Sequence, residues 1–256
     1  MTNQSALDRS QRPPIAGAAI LALGVSVLVA LVMALAGLGT RWGWWHFRTG
    51  LSVLEWTAYA AIAAVFIAFV AAVIARPGGP RRGFAFALAA LVIAAVLAIV
   101  PWRWRATARA APPIHDITTD LENPPRFEAI LPLRATATNE AEYGGPEIAA
   151  QQREAYPDIE PLQFEAAPRA TFERAVDVVR DLGWEIIVSD PSAGRIEATD
   201  RTFWFGFDDD VVIRITPAGG GSRVDIRSVS RVGRGDTGTN ARRIREFLDR
   251  MREAGE

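Results

Sequence analysis

The stretch with the greatest capacity for chemistry is Ser230–Arg245. Gly233, Gly235 and Gly238 form a flexible loop that leads into a helix start at Thr239 or Asn240. Arg227, Arg231, Arg234, Arg242 and Arg243 surround that loop. A helix N-terminus presents backbone N–H groups that have no partner within the helix, and guanidinium forks bind carboxylate or phosphate oxygens. The chemistry expected here is anion binding, with a phosphate, a lipid headgroup or a carboxylate as ligand. The plainer alternative is that the glycines only turn the chain from strand to helix. Asp236 or Asn240 would then cap the helix, and the arginines would pair with neighbouring acids. Arg234-Gly235-Asp236 is a frequent chance tripeptide and carries no weight as an adhesion signal.

A second set is His115, Asp116 and Asp120, which could act as an acid–base group or bind a metal. In a Pro-rich segment the same residues also make turns, their side chains accepting backbone N–H bonds. Combined with the 231–243 loop, they define the enzyme alternative for this chain. Asp208-Asp209-Asp210 could offer oxygens to a divalent cation, but no calcium-loop spacing accompanies them. The chain has no Cys and two His, which removes disulfides, thiolate sites and most His-based metal clusters. Nothing approaches a Gly-x-Ser-x-Gly nucleophile elbow. No metal, no cofactor and no catalytic residue is expected.

These residues must be positioned by the elements of the C-terminal half. Residues 103–161 form a Pro-rich arm, expected to be extended and largely irregular. In 162–256 the pattern becomes regular. Leu162–Ala166 is a short strand, and Pro168–Leu182 is a helix closed by Gly183. Trp184–Ser189, Arg195–Thr199, Val211–Thr216 and Arg223–Ser230 are strands. A last helix runs from Thr239 or Asn240 to Met251, with Ile244, Phe247, Leu248 and Met251 on one face. Phe203–Phe207 is expected as an aromatic strand, buried centrally or showing one face to a partner or membrane. Asp208–Asp210 is expected as an acidic turn. This order gives an α+β two-layer domain, with an antiparallel sheet and two covering helices.

The N-terminal half is different in kind. After a tail at 1–14, residues 15–102 hold three apolar runs, at 15–38, 51–75 and 84–102. Each is long enough to cross a hydrocarbon core, so three transmembrane α-helices are expected. Arg9 and Arg12 with Ala34-Leu35-Ala36 could mimic a cleaved leader, but the apolar run is too long for one. Small residues recur at a spacing of four: Ala18, Ala22, Ser26, Ala30 and Ala34; Ala60, Ala64, Ala68 and Ala72; Ala90, Ala94 and Ala98. Such faces allow close helix packing, within a three-helix bundle or in a homo-oligomer. No ionisable group stands mid-span, which disfavours a pump or channel.

The formal net charge of −1 averages two unlike halves. Residues 1–110 hold ten Arg against Asp8 and Glu55, a net of +8; the remainder, with eighteen Arg and 27 acids, is −9. An acidic soluble half argues against nucleic-acid binding. The positive-inside count is tied. Arg9, Arg12, Arg76, Arg81 and Arg82 would flank one side, and Arg41, Arg48, Arg103, Arg105 and Arg109 the other. The short, purely basic 76–83 loop favours the cytoplasm for itself and the N-terminus. That puts the tail domain on the periplasmic face of a bacterial inner membrane.

Several stretches of the C-terminal half resemble a known family. They are Ile114-His115-Asp116-Ile117-Thr118-Thr119-Asp120 with Asn123-Pro124-Pro125, then Tyr156-Pro157-Asp158-Ile159, Gly183-Trp184 and Gly194-Arg195-Ile196-Glu197-Ala198. Asp209-Asp210-Val211-Val212-Ile213-Arg214 and Ser230-Arg231-Val232-Gly233-Arg234-Gly235-Asp236, continued by Thr239-Asn240-Ala241-Arg242-Arg243-Ile244, complete the set. Over about 112–250 the chain resembles the domain-of-unknown-function family numbered 1499. Thr237 stands where that pattern leads one to expect Leu. The resemblance implies a membrane-associated domain and no particular activity. Together these features point to an integral membrane protein displaying an interaction or anion-binding domain. Its partners would be the lipid bilayer, an anionic lipid or phosphate, or a membrane or periplasmic protein.

Overall fold

The structure is a computed structural model that describes residues 14–235 and 237–255. Arg9, Arg12 and Asp236 lie outside the described residues. The chain divides into two compact units, Met1–Arg105 and Ala106–Glu256.

The first unit is built from α1 (Gly17–Arg41), α2 (Phe47–Ile74) and the apolar part of α3 (Phe84–Ala110), each long and apolar enough to cross a membrane. Large side chains such as Leu28, Phe66, Phe69 and Val92 point outward, as a lipid environment requires. The inward residues are mostly small. They recur alternately three and four apart: Ala19, Ala22, Ser26, Val29, Met33 and Ala36 in α1, then Leu54, Thr57, Ala61, Ala64, Ala68 and Ala71 in α2, and Ala87, Ala90 and Ala94 in α3. The rows of four expected from the sequence lie on this face in part, at Ala22, Ser26, Ala64, Ala68, Ala90 and Ala94. At 3.6 residues per turn a strict four-residue row drifts off the contact face, so Ala34 is exposed and Ala36 is buried instead. Packing is close enough for Ser26 Oγ to donate to the Ala90 carbonyl at 3.1 Å. Between α1 and α2, Trp45 lies over Gly39, where any Cβ would collide with its ring. His46 caps α2 by accepting the Arg48 N–H at Nδ1.

The second unit is an antiparallel sheet of order β1-β6-β5-β4-β3, with β2 also pairing β6. The strands are β1 (Asp116–Thr118), β2 (Leu162–Phe164), β3 (Glu185–Asp190), β4 (Arg195–Arg201), β5 (Asp208–Ala218) and β6 (Gly221–Ser230). Alternation along the strands sends Ile196, Ala198, Val211, Ile213, Ile215, Val224 and Ile226 to one face. There they meet Phe172, Ala175, Val176 and Val179 of α5 (Pro168–Asp181), and Ile244, Phe247, Leu248 and Met251 of α6 (Thr239–Glu253). Trp184 stacks on Phe247 with ring centroids 6.0 Å apart.

The opposite sheet face is also covered, by the segment expected to be an irregular arm. It contributes β1, a 3₁₀ turn at Leu131–Arg134 and α4 (Gly145–Ala155). Phe127 and Ile130 pack on Val212 and Val229. Gln152 of α4 grips β1, its Oε1 accepting the Thr118 N–H at 3.0 Å and its Nε2 donating to the Thr118 carbonyl at 2.6 Å. Arm and sheet are thus one folded unit.

Two local expectations change. Phe203–Phe207 is not a strand but the loop of the β4–β5 hairpin, and Asp208–Asp210 begins β5 instead of forming a turn. The hairpin closes at Arg201↔Asp208. Thr202 then ties the loop shut, its N–H donating to the Phe207 carbonyl and its Oγ1 accepting the Phe207 N–H at 2.8 Å.

Candidate functional site

The five arginines around the Gly-rich loop separate into two classes. Arg227 is 1% exposed; its Nε and Nη2 hold the two oxygens of Asp116 at 2.8 and 2.7 Å. Its other donors reach the Pro125 and Ala141 carbonyls, and the Phe127 and Tyr143 rings lie against it. Arg231 binds both oxygens of Asp210 and one of Asp208. Asp210, also held by Arg134, keeps the Arg231 guanidinium above its usual pKa chiefly through the hydrogen bond. Arg243 bridges Asp200 and Asp209 and touches Ser228 and Asn240. Burial opposes its charge, but Asp209 and Asp200 outweigh that and raise its pKa. These three side chains hold the domain together, and their donors face carboxylates, not an open ligand site. Arg234 and Arg242 are exposed, and among the described residues neither is seen in an ion pair with a carboxylate.

The loop itself keeps part of the expected chemistry. The N-cap of α6 is Gly238, in the left-handed region at φ 78°, with no side-chain capping bond. Asn240 does not cap: its Nδ2 donates to the His115 carbonyl and Ser230 Oγ, and its Oδ1 accepts from Ser228 Oγ. The helix ladder begins with the Arg242 N–H on the Gly238 carbonyl. Thr239 Oγ1 accepts from Arg242 Nη2 at 3.2 Å, while Gly233, Arg234 and Gly235 are exposed. Thr237 has φ 54° and is the one non-Gly residue with positive φ among those described. A β-branched residue in that region is strained.

The second expected set is brought only partly together. His115 does reach the loop, its Nδ1 3.4 Å from the Arg234 carbonyl oxygen, and its own carbonyl accepts the Ser230 N–H. Asp116 is buried against Arg227. Asp120 forms a turn, accepting the Glu122 and Asn123 N–H groups at Oδ1, while its Oδ2 binds Arg214 and Arg223. The three therefore face different partners and share no centre. Among the described residues, no group of three His, Cys, Asp or Glu is placed to hold a metal ion.

Two features were not read from the sequence. Glu197, fully buried, accepts the N–H groups of Glu128, Ala129 and Ile130 and so pins the arm to the sheet. Burial pushes the Tyr143 hydroxyl up to about 12; nearby Asp116 adds to this and Arg227 opposes it. The signal for the ion pairs was present: a turn at Gly219-Gly220 sets Arg214 opposite Asp225, and the two do pair at 3.0 Å.

The family model described as "Protein of unknown function (DUF1499)" matches residues 116–251. The chain belongs to this family. The DUF1499 match starts at β1 and ends within α6, so it takes in the arm from Asp116 on, the whole sheet and the Gly/Arg loop. No curated protein matches the chain.

Proposed function

We propose that this protein is a membrane-anchored, non-catalytic binding protein whose α6 N-terminus receives an oxyanion. The observation that carries the proposal is the pair of exposed arginines, Arg234 and Arg242, on either side of the Gly-rich start of α6. Arg forks bind phosphate and carboxylate oxygens through charge-assisted hydrogen bonds. The ligand chemistry is a phosphate or carboxylate group, free or carried on a lipid headgroup. Partners of the domain, in the membrane or the periplasm, would engage the same loop. The domain is proposed to stand on the periplasmic face of a bacterial inner membrane, on the strength of the basic 76–83 loop.

The test uses the full chain in zwitterionic micelles. Inorganic phosphate at about a hundred times its Kd should stabilise the folded protein by ~2.7 kcal/mol, read as a rise in Tm. The double variant Arg234→Gln/Arg242→Gln should lose that rise, and Arg250→Gln, on the exposed end of α6, should keep it. Repeating the measurement with an anionic lipid in place of free phosphate separates the two sources. No stabilisation by either, or an equal response in the double variant, would sink the anion site.

A further inference from the structure

We propose that the β4–β5 hairpin loop, Thr202–Phe207, is a membrane-surface contact that inserts Phe203 at the headgroup–acyl boundary. The inference depends on the membrane anchor and not on the anion site.

The first observation is the loop itself. Phe203 is 85% exposed, more than any other large apolar side chain among the described residues. It is held out by a rigid base. Phe205 is buried, stacks on Phe207 at 5.4 Å and meets Trp204 edge-on at 5.1 Å. Thr202 ties the loop ends together, and the Gly206 N–H donates to the Thr202 carbonyl. A pre-ordered aromatic tip pays little conformational entropy on insertion, and Trp and Phe side chains favour membrane interfaces. The exposed Leu131 and Leu133 lie on the turn whose Arg134 reaches Asp210, close to the neck of this hairpin.

The second observation is where the tether enters. Ser230 donates its N–H to the His115 carbonyl, and Arg231 donates to the Asp208 carbonyl. His115, Ser230-Arg231 and Asp208 are thus neighbours in one row at one end of the sheet. That end carries the chain arriving from α3, the Gly/Arg loop and the neck of the aromatic hairpin. The turns at 191–194 and 219–220 close the opposite end.

Covalent geometry then limits how far the first end can be from lipid. The apolar run of α3 ends near Trp102, and helix continues to Ala110, a rise of about 12 Å at ~1.5 Å per residue. Residues 111–115 add at most about 18 Å before β1 begins. The tether end therefore lies within about 30 Å of the hydrocarbon edge, and a ten-residue strand such as β6 carries the other end about 34 Å further along the sheet. Chain connectivity therefore keeps a lipid surface within the tether's reach of the sheet end that carries Phe203.

The protein has no Cys, so single introduced cysteines label uniquely. The full chain is reconstituted in bilayers of zwitterionic lipid alone, which removes the anion site from the outcome. A fluorophore is attached at Phe203→Cys, or at Ser192→Cys in the opposite turn. Circular dichroism and melting confirm that each variant folds. The expected result is several-fold stronger quenching by brominated lipid at 203 than at 192, with 203 shielded from aqueous iodide. A 203 label as open to iodide as the 192 label overturns the proposal. So does a label shielded from both quenchers, which would mean that protein and not lipid covers the tip.

Discussion

A guanidinium buried without its carboxylate is among the costliest states a side chain can be left in, and Arg227 is one substitution away from it. Asp116→Ala removes the one carboxylate seen on Arg227 among the described residues and leaves the charge among Phe127, Tyr143 and backbone carbonyls. Breaking one side of a buried pair costs about 3–5 kcal/mol, whereas replacing both sides by apolar groups of similar volume is often neutral. Asp116→Ala should therefore lower the Tm of the full chain sharply, and Asp116→Leu/Arg227→Met should recover most of the loss. A double variant as unstable as the single would show that Arg227 matters for more than its pair. The sequence did not sort Arg227, on a strand, from Arg234, in the loop, because the cover over Arg227 comes from the distant arm. Strand parity puts Arg227 on the arm-covered face, where Asp210, Arg214 and Asp225 also point. Read as a solvent face, those alternate charges looked like surface; under the arm they are paired interior. His115 was legible as a neighbour of the loop, but the carboxylates meant to work with it were already committed to arginines.

At the level of elements, close packing of helices is the property most open to test. Ser26 sits on the α1 seam, fully buried, with its hydroxyl on the Ala90 carbonyl. Ser26→Ala removes the hydrogen bond and keeps the space, a loss of about 0.6 kcal/mol by the average for such bonds in membranes. Ser26→Leu forces a larger side chain between backbones, and overpacking of that kind costs about 1–3 kcal/mol. Unfolding of the full chain by detergent titration, followed by circular dichroism, should rank Leu well below Ala and Ala slightly below wild type. An equal effect of both would mean that α1 and α3 can part without loss. The elements themselves were largely legible. Period 3.6 marked α5 and α6, and alternation marked β4, β5 and β6, because those faces meet one core. The aromatic hairpin loop was misread for a physical reason. Phe, Trp and Phe have strand propensity, and only Gly206 hints at a loop, while the pairing Arg201↔Asp208 that ends the ladder is a tertiary fact. The arm is mostly irregular, as its prolines suggest, and it lies over the sheet; its order comes from long-range partners, Glu197 and Gln152 among them, and not from local pattern.

For the whole molecule, the charge changes sign near residue 110, and the contact boundary falls at Arg105/Ala106. What composition leaves open is which side of the membrane each end occupies, and that follows from a small difference. An odd number of spans puts the two flanks of the spanning region on opposite sides. With the flanking Arg count tied, the decision rests on the loop between α2 and α3, where Arg76, Arg81 and Arg82 stand in a short stretch with no acid. Positive charge in short loops resists translocation, so this loop should stay in the cytoplasm and the DUF1499 domain should cross. A C-terminal alkaline phosphatase fusion should be active, and a C-terminal fusion to a fluorescent protein that matures only in the cytoplasm should be dark. Because the margin is narrow, Arg81→Gln/Arg82→Gln should shift a measurable fraction of molecules to the opposite orientation, and adding Arg to the 41–50 loop should do the same. A bright fluorescent fusion in the unaltered chain would place the domain, its Arg loop and its aromatic tip on the cytoplasmic leaflet. The tether argument for Phe203 would survive that reversal, since the length of 103–115 is the same on either side, but a periplasmic partner would not.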